Sequence, residues 1–280
     1  MTEQSIEVGS LKWFYREANP KENSDKVPVL LLHGLPSQSF GWCEIMPELA
    51  DKGFRAIAPD WIGSGFSSKP DRRDFAYTPD AFIDALADLR AALELEKFSL
   101  VVQGFLGSVG LQYALRYPEQ IERLVILNTP LSTAAKLPWK MKQWGLPLIG
   151  DVLTQDPLLV DRTLEGGSGF VIGDKNLDVY RKPFLTSSDV GRSLVATIQN
   201  LKLSESMAEL ESGFPNWSKP TLIIWGYADP WLASSDAEKL ASSYKNIELV
   251  KLKEAKHYPQ EHWVKEISEA ILNFLRPQAV

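Results

Sequence analysis

Short runs of apolar, largely β-branched residues alternate along this chain with segments of helical periodicity, and that alternation constrains the fold more than any other feature. The runs are Val27 to Leu32, Arg55 to Ala58, Ser99 to Val102, Leu124 to Leu127, Thr221 to Trp225 and Glu248 to Leu252. A strand with apolar residues at consecutive positions has two faces to bury, and a mostly parallel sheet wrapped by helices buries both. The helical segments carry one apolar stripe each. Asp80 to Leu95 puts Phe82, Ile83, Leu86, Leu89 and Leu93 on one face, after the start signal Thr78-Pro79-Asp80. Gly107 to Tyr117 forms a second helix, ended by Pro118, and Val264 to Leu275 a final one that buries Ile267, Ile271 and Leu275.

The alternation breaks between about Pro130 and Lys219. Pro, Gly and Trp occur there in irregular order, followed by helical patterns around Val190 to Asn200 and Glu205 to Glu211. A crossover of that length is too long for a simple connection between neighbouring strands. The expected architecture is an α/β core formed by residues 1–130 and 220–280, with a largely helical cap, residues 131–219, inserted over the carboxyl ends of the strands. Open α/β sheets place their ligand site at those ends.

Composition excludes several classes of function. The chain has 280 residues and carries 30 Lys+Arg against 36 Asp+Glu, a net charge of −6 with the signs interspersed. Bulk-charge gripping of nucleic acid or of an anionic membrane is therefore not expected. At 44% hydrophobic and 10% aromatic the chain has ample material for a core. The apolar runs fall far short of the roughly 18 residues that suggest a membrane span. Met1 to Ser5 has neither a basic nor an apolar stretch, so no secretory signal is expected. The single Cys43 cannot form an internal disulfide, which together with the other features predicts a cytoplasmic protein. Three histidines and one cysteine at wide spacing predict no metal cluster, and no cofactor motif is present.

Four motifs follow strands in order: His33-Gly34-Leu35-Pro36; Pro59-Asp60-Trp61-Ile62-Gly63-Ser64-Gly65; Trp225-Gly226-Tyr227-Ala228-Asp229-Pro230; and His257-Tyr258-Pro259-Gln260-Glu261. Together they resemble the α/β-hydrolase fold, and most closely its haloalkane dehalogenase and epoxide hydrolase branch. The resemblance covers nearly the whole chain and is weakest in the cap. It implies a nucleophile on a tight strand-to-helix turn, a histidine that activates it or water, and an acid that orients the histidine. By position, Asp229 matches the acid and His257 the histidine.

The nucleophile position is different. Leu100 to Leu111 resembles the dehalogenase elbow, in which Gln precedes an Asp nucleophile, but here Gln103 precedes Gly104. The interval from Gly104 to Pro118 matches the family's elbow helix without a gap. Glycine has no side chain, so no covalent intermediate can form there. Ser108 is no substitute: it lies past the strand end within the helix, with Leu106 rather than a small residue before it. Loss of the nucleophile in a serine protease costs roughly 10⁶ in turnover, or about 8 kcal/mol. An efficient dehalogenase or serine esterase is therefore not expected. Halide binding in the dehalogenases uses the Trp after the nucleophile and often an Asn in the HGxP motif, where this chain has Phe105 and Leu35. The chain resembles still more closely a group of α/β-hydrolase-like proteins of oxygenic phototrophs that share the Val-Gln-Gly-Phe-Leu elbow. That resemblance implies that the glycine is native, and it implies no particular substrate.

The backbone amides of Leu35 and Phe105, the expected oxyanion hole, do not depend on side chains. Trp61, Phe105 and Leu106 are expected to line an apolar pocket under the cap, while His33 and Asp60 are read as turn-shaping residues and Gly166-Gly167-Ser168-Gly169 as a flexible cap loop. Two classes of function follow. One is a hydrolase-like enzyme that uses Asp229 and His257 as a dyad on a small apolar substrate without a covalent step. The other is a catalytically inactive ligand-binding or assembly protein that has kept the pocket and retains the pair as a relic.

Overall fold

The computed structural model describes residues 1–276; residues 277–280 lie outside the description. In chain order the elements are β1 (Thr2–Val8), β2 (Leu11–Ala18), β3 (Val29–Leu32), α1 (Ile45–Asp51), β4 (Ala56–Pro59), α2 (Pro79–Ala92), β5 (Phe98–Gln103), α3 (Gly107–Arg116) and β6 (Ile121–Leu127). There follow α4 (Trp139–Trp144), α5 (Ile149–Leu153), α6 (Leu158–Ser168), α7 (Asp174–Thr186), α8 (Asp189–Asn200) and α9 (Leu203–Gly213). The chain closes with β7 (Thr221–Gly226), α10 (Ser234–Ser243), β8 (Ile247–Leu252) and α11 (Val264–Leu275).

The strands form one eight-stranded sheet in the order β1-β2-β4-β3-β5-β6-β7-β8. All neighbours from β4 to β8 pair in parallel, and β1 and β2 add an antiparallel edge. The apolar runs explain the centre. Every residue of β3, β5 and β7 is buried, because one face packs under α2 and α3 and the other under α1 and α11. Each fully buried Leu, Ile or Val contributes about 1.5–3 kcal/mol over an exposed one. The helix α2 starts as its sequence predicts: the Thr78 hydroxyl accepts from the Ala81 amide at 3.3 Å and Pro79 occupies the first turn.

One sequence expectation needs correction, and one element is absent from it. β8 is not buried on both faces, since Glu248 and Lys251 are exposed at the edge of the sheet. The N-terminal hairpin lacks long apolar runs: β1 is mostly exposed, and β2 sets three consecutive aromatic residues, Trp13 to Tyr15, between Lys12 and Arg16.

The parallel arrangement brings five strand ends together. The loops after β3, β5, β6, β7 and β8 carry His33 to Pro36, Gly104, Asn128, Asp229 and His257 respectively. Two of the six helices between β6 and β7 are tied to the loop after β8: the Gly167 carbonyl of α6 accepts from the His257 amide at 2.8 Å, and Tyr180 of α7 donates to Glu261 at 2.5 Å.

Candidate active site

The turn between β5 and α3 is built around close backbone approach. Gly104 has φ +71°, and a Cβ there would stand 3.0 Å from the Gly34 Cα and 3.6 Å from the His257 Nε2. Gly34 faces it with equal tightness, since its own Cβ would lie 3.0 Å from the Gly104 Cα, and 2.6 Å from the Gln103 Oε1. Two bare Cα atoms are thus packed against each other at the floor of the site. Gln103 fastens the surrounding loops: its Oε1 accepts from the Gly34 amide at 3.2 Å, and its Nε2 donates to the His257 carbonyl at 2.8 Å.

The acid and the histidine meet directly. His257 Nδ1 lies 2.8 Å from Asp229 Oδ2, with both side chains fully buried. A carboxylate only accepts, so in the neutral ring Nδ1 carries the proton and Nε2 keeps its lone pair. That Nε2 is buried and has no hydrogen-bond partner, and it points at the vacant side of Gly104. Asp229 is held by further donors: Asn128 Nδ2 at 2.8 Å, the Trp231 amide at 2.8 Å and the Leu232 amide at 3.2 Å. Burial pushes the Asp229 carboxyl up, but the His257 ring, the Trp231 amide and the Asn128 side chain outweigh burial and hold it below the usual carboxylate range.

Among the described residues, neither the Leu35 nor the Phe105 amide donates a hydrogen bond, and the Tyr258 hydroxyl fixes the Leu35 peptide by donating to its carbonyl at 2.6 Å. Aromatic rings close the site. Phe105 stacks on His257 with centroids 5.2 Å apart, Trp231 lies 4.7 Å away and Tyr258 stands edge-on at 4.9 Å. Leu106 is fully buried beside them. The structure therefore brings Gly104, Phe105, Leu35, Asp229 and His257 together.

Trp61 is placed elsewhere. Its ring is buried against Trp13 and Phe82, and its indole N–H donates to the His33 carbonyl at 3.0 Å, so it is core rather than pocket wall. His33 accepts from the Trp61 amide at 3.1 Å and lies 2.8 Å from the Gly34 carbonyl, while burial pushes its pKa down. Asp60 accepts from the Ser39 and Phe66 amides, each at 2.7 Å. Both are turn-shaping residues by their contacts. Ser108 donates to the Phe105 carbonyl at 2.8 Å within the start of α3, and burial pushes the Cys43 thiol up to about 12. Tyr180 is engaged with Glu261 and Phe40 and does not point at the elbow. Gly166 to Ser168 is not a flexible loop but the last turn of α6, and a Cβ on Gly167 would stand 2.4 Å from the Tyr258 ring.

Three contributors escaped the sequence reading. Asn128 was visible only as part of Asn128-Thr129-Pro130, the start of the insertion; it adopts φ +36°, a region that asparagine tolerates, and bridges β6 to β7 by bonding both polar groups of Gly226. Gln103 was read as an elbow marker rather than a clamp. Gly167 reads in the sequence only as part of a flexible loop, not as a contact to the Tyr258 ring.

Residues 27–262 match the model of the alpha/beta hydrolase fold family. The chain is 33% identical over 216 residues to a cis-3-alkyl-4-alkyloxetan-2-one decarboxylase of Shewanella oneidensis, covering 72% of this chain and 67% of that protein. It is 27% identical over 272 residues to a haloalkane dehalogenase of Mycolicibacterium paratuberculosis, covering 94% and 87% of the two chains. The crystal structure of the haloalkane dehalogenase DbeA from Bradyrhizobium elkani superposes with a TM-score of 0.85 at 23% identity, covering 98% of this chain and 97% of that one.

Proposed function

This chain belongs to the alpha/beta hydrolase fold family, in its haloalkane dehalogenase-like branch, and on that footing we propose that its Asp229–His257 dyad serves a small apolar ligand without a covalent intermediate. The observation that carries this reading is the unpartnered, buried Nε2 of His257 facing Gly104. An orphaned buried polar atom costs about 1–3 kcal/mol, so its persistence beside an acid with four donors calls for a partner that the protein alone does not supply. In this reading the inserted helices act as a cap. Nε2 takes a proton from water or from the ligand, Asp229 stabilises the imidazolium that results, and the Leu35 and Phe105 amides receive developing negative charge on a ligand oxygen. The printed names of the relatives describe haloalkane and alkyl-substituted oxetanone chemistry, which supports a ligand of largely apolar character.

A second reading, a binding protein without chemistry, is favoured by one observation. The His257 ring is fully covered by Phe105, Trp231 and Tyr258, so no ligand reaches Nε2 until an aromatic ring moves. Turnover and calorimetric binding of ester, lactone, epoxide and haloalkane panels separate the two. Native turnover that His257→Ala abolishes supports the dyad, and saturable binding without turnover supports the second reading. Turnover and affinity both unchanged in His257→Ala would remove His257 from any role.

A further inference from the structure

Seven large apolar side chains with substantial exposure fall between positions 139 and 158, on α4, α5, the turn between them and the start of α6. Leu148 is 81% exposed, Val152 74% and Trp139 70%, and Ile149, Leu146 and Leu158 extend the same surface. The helices α4 and α5 pack on each other, so these residues form one face rather than scattered points. Leu148, between them, has φ +63° and ψ −44°, the strained centre of a γ-turn closed by the Ile149 amide on the Pro147 carbonyl at 2.7 Å, and it carries the most exposed side chain of the group. Contiguous apolar surface of this kind marks an interaction site.

Charge identifies the partner. Lys136, Lys140 and Lys142 flank the face, all exposed and without ion pairs among the described residues, and Asp151 is the only acid between Lys136 and Leu153. A positive patch of this size stands out on a chain whose net charge is −6. A symmetric contact with a second copy would set these lysines near their own counterparts. An anionic lipid surface instead attracts them, while Trp139 and the leucines seat in the headgroup boundary, the arrangement of an interfacial rather than a spanning segment.

We propose that the α4–α5 face docks this protein on the surface of an anionic lipid bilayer. The face is continuous with a cleft of about 730 Å³ that Trp139 and Leu153 share and whose inner wall includes Trp231, the ring beside His257. Docking therefore sets the mouth of that cleft against lipid. The proposal concerns the surface alone and does not depend on chemistry at His257.

The test is flotation of the whole chain with vesicles of phosphatidylcholine alone or rich in phosphatidylglycerol, at low and high salt. Binding is expected only to the anionic vesicles and is expected to weaken with salt. Each lysine near such a surface contributes about fivefold, so joint Lys136→Glu, Lys140→Glu and Lys142→Glu substitution reduces partitioning by at least a hundredfold, roughly. Leu148→Ser with Val152→Ser reduces it about tenfold or more at unchanged charge. All five positions are exposed, and circular dichroism verifies that the variants fold. Absence of binding to anionic vesicles at low salt overturns the proposal, as does binding that neither set of substitutions weakens. A concentration-dependent dimer of the native chain that Leu148→Ser dissolves also overturns it, because the face would then join copies.

Discussion

Gly104 can be given a side chain, and the consequence for stability is calculable in sign. A Cβ at this position must adopt φ +71° and crowd the Gly34 Cα at 3.0 Å, so Gly104→Ala is expected to destabilise the protein by about 1–3 kcal/mol. Gly104→Ser meets the same strain, but its hydroxyl starts from a Cβ 3.6 Å from the orphaned His257 Nε2 and reaches hydrogen-bonding distance. Satisfying a buried acceptor returns about 1–3 kcal/mol, so serine is expected to exceed alanine in stability by about 1–2 kcal/mol. In a protein of this size that is roughly 2–8 °C in Tm, and urea unfolding gives the free energy directly. The comparison is completed in a His257→Ala background, where the advantage of serine over alanine should vanish. Equal stability of the serine and alanine variants, or an advantage that survives the loss of His257, would refute the geometry assigned to Nε2.

Other outcomes follow from the same contacts. Gly167→Ala puts a methyl 2.4 Å from the Tyr258 ring and is expected to lower stability by about 1–3 kcal/mol and to shift the His257 ring resonances in NMR spectra. Asn128→Leu removes a donor from Asp229 and both bonds to Gly226, so unfolding free energy should fall by about 2–4 kcal/mol. Because the Asp229 carboxyl is held below its ordinary range, its contribution is complete above that range and lost as pH falls through the folded value; in Asn128→Leu the loss should be smaller and complete at higher pH. Glu261 behaves oppositely: burial, reinforced by Glu44 and opposed by the Tyr180 hydroxyl, pushes its carboxyl up to about 7. Stability should therefore decline as pH rises from the usual carboxylate range to about 7, and Glu261→Gln should flatten that part of the urea-midpoint profile.

The central strands and the order of the loops were legible in the sequence because each records a strong, local constraint. Two buried faces demand an unbroken apolar run, and a chain reversal at a strand end demands His-Gly or Asp with glycines. Asp229 and His257 are assigned by another route, the positional match of their motifs to the family that the chain resembles. The N-terminal hairpin was not legible because β1 is an exposed edge strand, which imposes no such pattern, and β2 buries Arg16 and Glu17 among its aromatic residues. Trp61 illustrates a subtler failure: its position after β4 is compatible with either pocket or core, and only the partners Trp13 and Phe82, distant in sequence from each other, decide it. Asn128, Gln103 and Gly167 act through contacts across the sheet or into the insertion, and no spacing along the chain encodes those contacts.

The bond from the His257 amide to the Gly167 carbonyl bears on how such a protein can be altered or can diverge. The histidine's own backbone is anchored on an inserted helix, so the insertion is not an interchangeable lid over a self-sufficient core. A chimera that takes its insertion from a relative must also supply a residue without a side chain at position 167 and a carbonyl at the same height. Otherwise the loop that carries His257 loses its register, and the exchange changes the surroundings of the Asp229–His257 pair while every residue of the core remains as it was.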